Sequence, residues 1–60
     1  MNAIFINNEF KTASTVTEIS KGYAVSLIDC ESEEIVGTRI FPKDREADAI
    51  AYAKLLVKVV

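Results

Sequence analysis

The chain has 60 residues, seven of them Lys or Arg and nine Asp or Glu, with no His and a net charge of -2. Half of the residues are hydrophobic and 27% are charged, a balance that excludes a disordered chain. The single cysteine excludes an internal disulfide framework, and a pI near 4.9 argues against a strongly basic nucleic-acid clamp.

One small domain over residues 1–60 is the natural reading. A chain this short buries only about 60% of the surface that its unfolded form exposes, so small domains lean on a disulfide, a metal or a partner. With one Cys and no His, the usual zinc ligands are missing, and no cofactor is expected. That leaves a tightly packed core or self-association, and a homodimer is the expectation. The start, Met1 to Glu9, has no basic segment ahead of its short apolar run, and no stretch approaches a membrane span. A lone Cys30 fits a reducing compartment, so a cytoplasmic protein with no membrane partner is expected.

In chain order, Ala3-Ile4-Phe5-Ile6 is a short β-prone run, and Asn7-Asn8-Glu9 reads as a turn, because Asn tolerates the left-handed conformation. Phe10 to Ile19 alternates, with only a weakly apolar face, so it reads as a strand near a sheet edge. Ser20-Lys21-Gly22 is a second turn. Tyr23 to Asp29 is the strongest strand and the expected central one, with apolar residues on both of its faces. Cys30 to Glu33 reads as a hairpin loop. Glu34 to Phe41 follows as a strand in which Gly37 marks a bulge or a large side chain lying over it. Pro42 stops the sheet, Asp44 is the candidate helix cap, and Arg45 to about Lys58 are good helix formers with Glu46 in the first turn. The expected fold is α+β: a three- or four-stranded antiparallel sheet covered by one C-terminal helix, β-β-β-α with an extra strand at the start.

Turned at 100° per residue, the helix gathers Ala49, Ile50, Ala53, Leu56, Val57 and Val60 on a face for the sheet. A second stripe, Ala51, Leu55 and Val59 with Ala47, would remain in water, and it is the expected apolar contact with a second copy or another protein. Asp29, Glu31, Glu33 and Glu34 cluster around one turn. They lack the spacing of a calcium loop and read best as an acidic patch that orients a basic partner. Cys30 lies among these carboxylates, which disfavour a thiolate, and no His is present to act as its base. Arg39, Phe41, Lys43 and Arg45 interleave cations with an aromatic near the strand-to-helix junction, the pattern of a single-strand nucleic-acid site. The acidic net charge works against that reading.

Enzyme motifs are missing: Gly22 and Gly37 stand too far apart for a phosphate loop, and without His the common proton shuttle is lost. Strands followed by a helix that begins Glu46-Ala47-Asp48-Ala49 are a layout common among small prokaryotic and phage proteins, and no family motif stands in these residues. The functional expectation is a non-enzymatic protein-protein interaction module, or a small accessory or regulatory factor, working as a homodimer. The alternative is a nucleic-acid-binding module that uses the sheet face and the basic junction.

Overall fold

The computed structural model describes residues 2–58. Four strands, β1 (Asn2–Asn7), β2 (Thr12–Ile19), β3 (Gly22–Asp29) and β4 (Glu34–Pro42), are followed by a 3-10 turn at Lys43–Arg45 and one helix, α1 (Glu46–Val57). The strands form a single antiparallel sheet in the order β1-β2-β3-β4, a plain meander. The α+β arrangement is as the sequence indicates, with the extra N-terminal strand present.

Strand pairing sets which side chains share a face. On the helix side the rows across the sheet are Asn7-Thr12-Asp29-Glu34, Phe5-Ser14-Leu27-Gly37, Ala3-Val16-Val25-Arg39 and Glu18-Tyr23-Phe41. The core forms where Val16, Val25, Tyr23 and Phe41 meet Ala49 and Ala53 of α1, with Phe5, Tyr52 and Leu56 packed around them.

Two alanines on the buried helix face let α1 come close to the sheet. The closest link is polar: the fully buried Ser14 hydroxyl donates to the Ala53 carbonyl at 2.7 Å. β2 stands next to the edge strand β1, near a sheet edge as its weak apolar pattern suggests. A serine in the core costs little once its hydroxyl is bonded, and a larger residue there would push the helix away. At the other end of the helix, Asn7 Nδ2 donates to the Val57 carbonyl at 2.7 Å, while its Oδ1 accepts the backbone N–H of Glu9 and of Phe10. One side chain thus shapes the first hairpin loop and caps the C-terminal turn of α1, where Lys58 adopts a left-handed backbone.

Other boundaries move for physical reasons. The second strand starts at Thr12, because Lys11 takes a positive φ of 52° and closes the turn. The bulge lies next to Gly37: Leu27 pairs with Gly37 and Ile28 with Ile35, which leaves Val36 as the extra residue. No side chain lies over Gly37, whose missing Cβ faces open space. Asp44 does not cap α1. It sits in the 3-10 turn, and Arg45 occupies the cap position without a capping side-chain bond. Glu46 is in the first turn as expected. Gly22, in contrast, is required by the backbone, since its φ is 144° and an added Cβ would run into the Phe41 carbonyl oxygen.

The close helix approach has a measurable signature. Ser14→Ala removes one hydrogen bond and should cost about 1 kcal/mol. Ser14→Val also forces a branched side chain under Ala53 and should cost about 3 kcal/mol. Denaturant unfolding of the two variants gives the order, and a Val variant as stable as the Ala variant would mean that the helix is not tightly seated.

Candidate functional site

The described residues present four surfaces that bear on function, and the largest is one that the sequence reading did not isolate. The side of the sheet away from α1 carries the rows Ile6-Ala13-Ile28-Ile35, Ile4-Thr15-Ser26-Thr38, Asn2-Thr17-Ala24-Ile40 and Ile19-Gly22-Pro42. None of these residues is charged. No other element covers this face, and Ile4, Ile6, Ile35 and Ile40 remain 52–66% exposed. Even its polar residues are partly self-satisfied, since the Ser26 and Thr38 hydroxyls bond each other at 3.0 Å across β3 and β4. At a strand spacing of about 4.8 Å and a rise of about 3.3 Å per residue, four strands give a face of roughly 400 Å² in projection. The exposed isoleucines flank central Thr and Ser residues on it, and an uncharged face of that size is comparable to the largest patch on an ordinary soluble monomer, which is often a functional one. The signal was present in the sequence as isoleucines scattered over the four strands, but only the pairing register brings them onto one face.

The helix stripe is smaller than expected. Ala51 and Leu55 are exposed, Leu55 at 70%, and Val59 lies outside the described residues. The flanking cations do not simply frame an apolar seam: the Lys54 ammonium stands 5.7 Å from the Phe5 ring centre and that of Lys58 5.9 Å from Phe10. Among the described residues the stripe therefore contributes one large apolar side chain, of the kind any surface shows.

The acidic residues stay together at one end of the sheet and are partly engaged. Asp29 Oδ1 accepts the Glu31 backbone N–H at 3.0 Å, an Asx-type turn, and Glu31 stands 3.5 Å from the Lys11 ammonium. Glu33 holds a positive φ of 59°, and Glu34 opens β4 opposite Asp29. The exposed Cys30 donates its backbone N–H to the Lys11 carbonyl at 2.9 Å, which ties this loop to the first hairpin loop. No group of three His, Cys, Asp or Glu among the described residues is placed to hold a metal ion.

Of the four residues of the basic junction, Arg39 and Phe41 are brought together, while Lys43 and Arg45 lie in the 3-10 turn. Arg39 and Phe41 lie on the helix side of β4, where the Arg39 guanidinium rests 4.9 Å from the Phe41 ring centre and 5.1 Å from that of Tyr52. Phe41 is buried and tilted against Tyr52, with ring centres 5.5 Å apart, so its face is already occupied and is not free to stack on a base. Arg45 pairs with Asp48 at 3.0 Å, and Lys43 is exposed in the 3-10 turn. Beside Arg39, α1 leaves β4 partly uncovered, and a cavity of about 230 Å³ opens between them.

Tyr23 fastens the start of α1 to the sheet by donating to Glu46 Oε2 at 2.9 Å. That bond, with burial and the negative charges of Glu46 and Glu18, raises the Tyr23 pKa above its ordinary value near 10. The chain matches no protein-family model, no curated protein and no solved structure.

A pH test follows from Tyr23. Its folded-state pKa lies above the unfolded one, so its contribution to stability is complete below about pH 10 and is lost as pH rises through the raised value. The stability difference between the parent chain and Tyr23→Phe should be flat from pH 7 to 9 and shrink above pH 10. A difference that does not change across that range would mean that the bond to Glu46 contributes nothing.

Proposed function

We propose that this chain is a non-enzymatic protein-interaction module that works as a homodimer, with the two copies packed through the uncharged face of their sheets. The observation that supports this reading is the four-strand face bearing Ile4, Ile6, Ile35 and Ile40, uncovered and without a single charge. A foreign partner is commonly selected by charge, and this face offers none to select with. A second copy needs none, because a two-fold axis sets the same patch against itself. Two such sheets pack about 10 Å apart with strands within about 30° of each other, and their isoleucines interdigitate. Two faces of roughly 400 Å² in projection bury an area at the low end of specific interfaces, which makes the dimer reversible.

This places the self-contact on the sheet and not on the helix stripe. Leu55 and the acidic loop from Asp29 to Glu34 then stay exposed on the dimer, available for a further protein. An enzymatic role has no support in this geometry. Nor does a nucleic-acid role through Arg39, Phe41, Lys43 and Arg45 gain any, because the aromatic is packed under the helix, Arg39 rests on its ring and Arg45 is paired with Asp48.

Light scattering over a tenfold concentration range tests the reading. The expected result is a molar mass that rises toward twice 6.6 kDa with concentration, and that falls to the monomer value in Ile4→Lys or Ile40→Lys. Leu55→Asp should leave the mass unchanged. A monomer at all concentrations overturns the homodimer, and dissociation by Leu55→Asp alone moves the contact to the helix.

A further inference from the structure

We propose that the groove between β4 and α1 is a binding site for an extended peptide, which adds as a fifth strand on the free edge of β4 and presents an apolar residue and an acidic residue two positions apart. This rests on the reading of the chain as a protein-interaction module and names the chemistry of a partner. It uses the opposite side of the sheet from the dimer face.

Three observations meet at this place. First, β4 is the last strand of the sheet order, so one row of its backbone N–H and C=O groups has no strand beside it. At nine residues it is long enough to receive another strand. Second, α1 leans toward the other end of the sheet, held there by the Asn7–Val57 and Ser14–Ala53 bonds, and leaves a cavity of about 230 Å³ against β4. Its walls are mostly apolar, with Leu27, Val36, Tyr52 and Leu56 among them, and Gly37 contributes no side chain to fill it. Third, the one charged group lining the cavity is Arg39, which has no ion pair among the described residues. Its guanidinium rests against the Phe41 and Tyr52 rings, and its N–H groups are suited to grip a carboxylate in a two-bonded fork.

The spacing of the ligand follows from the strand. Gly37 and Arg39 are two residues apart on the same side of β4, the side of the cavity. A paired strand places alternate side chains on that side. A residue beside Gly37 therefore sends its side chain over the cavity, and the residue two positions away stands beside Arg39. The first should be Leu, Ile or Phe, and the second Asp or Glu. The residue between them projects to the other side of the sheet, next to Thr38 and Ile40. Such a peptide contributes main-chain bonds for affinity, one apolar anchor and one salt-sensitive contact for selection.

The test is titration of the isotope-labelled full chain with the synthetic peptide Thr-Glu-Thr-Leu-Thr, which pairs antiparallel to β4 with Leu beside Gly37 and Glu beside Arg39, acetylated and amidated at its ends, followed by amide NMR. The expected result is saturable shifts along β4 and around Arg39 and Tyr52, with affinity at least tenfold weaker for peptides carrying Ala in place of Leu or Gln in place of Glu. A Cβ at position 37 has open space around it, so Gly37→Leu should keep the native fold while its side chain occupies the cavity, and it should lose at least tenfold in affinity. Arg39→Gln should abolish the preference for Glu over Gln. No shifts at millimolar peptide, shifts confined to the open sheet face, or equal binding of the three peptides would each overturn the proposal. Light scattering of the chain without peptide reads association alone, so a dimer that ignores the peptide removes this inference and leaves the module reading in place.

Discussion

The seating of α1 on β2 and β3 governs the rest of the molecule. Ala49 and Ala53 give the helix a flat underside, Val16 and Val25 meet it, and the Ser14 hydroxyl reaches the Ala53 carbonyl. Small residues at such a contact act as a distance setting: each methylene added between helix and sheet lifts α1 and opens the packing on both sides. Asn7 then fixes the direction of the helix by holding its last turn to the end of β1. With its start tied through Tyr23 to Glu46 and its end tied to Asn7, α1 runs obliquely across the sheet and cannot cover all four strands. The cavity beside β4 is a consequence of those two anchors.

One helix also cannot cover two faces of a sheet. A two-layer fold normally turns its polar residues outward on the uncovered side. Here the charges lie elsewhere, in the loops, on the helix, around the 3-10 turn and on the helix side of the sheet, as at Glu18 and Arg39. The uncovered face carries isoleucine, alanine, threonine and serine. Val, Ile and Thr are also the residues that favour strands, so part of this composition serves strand formation alone. Propensity does not explain why no Lys or Glu interrupts any of the four rows. Charged residues are the ordinary means by which a sheet discourages association, and this face lacks that barrier.

Much of the architecture was legible in the sequence. Alternation marked β3 as an interior strand, the turns at Asn7-Asn8-Glu9 and Ser20-Lys21-Gly22 marked the hairpins, and Pro42 with the run of helix formers marked the change to α1. The burial of Ser14 was not, because a serine reads as a surface residue until its hydroxyl partner is known. That partner is a backbone carbonyl 39 residues away, which no local pattern encodes. The same limit applied to the surfaces. A helix stripe can be found on a wheel from one segment, so Ala51, Leu55 and Val59 stood out. The isoleucine face needs the register of three hairpins at once. Arg39 and Phe41 are two apart and so share a side of β4, but the placement of that side under α1 rather than toward water follows only from the packing.

The two uncovered surfaces are joined by geometry. A strand added to β4 extends the sheet, and its alternate residues extend the uncharged face on the far side. If the face is a dimer contact, any peptide that pairs with β4 enlarges it, since the residue between the apolar anchor and the acid projects beside Ile40. Binding at the edge and association through the face then favour each other, and linkage requires each to strengthen the other by the same factor. The coupling needs no movement of the core. It follows from a sheet with one free edge, one helix that leans away from that edge, and a face that carries no charge.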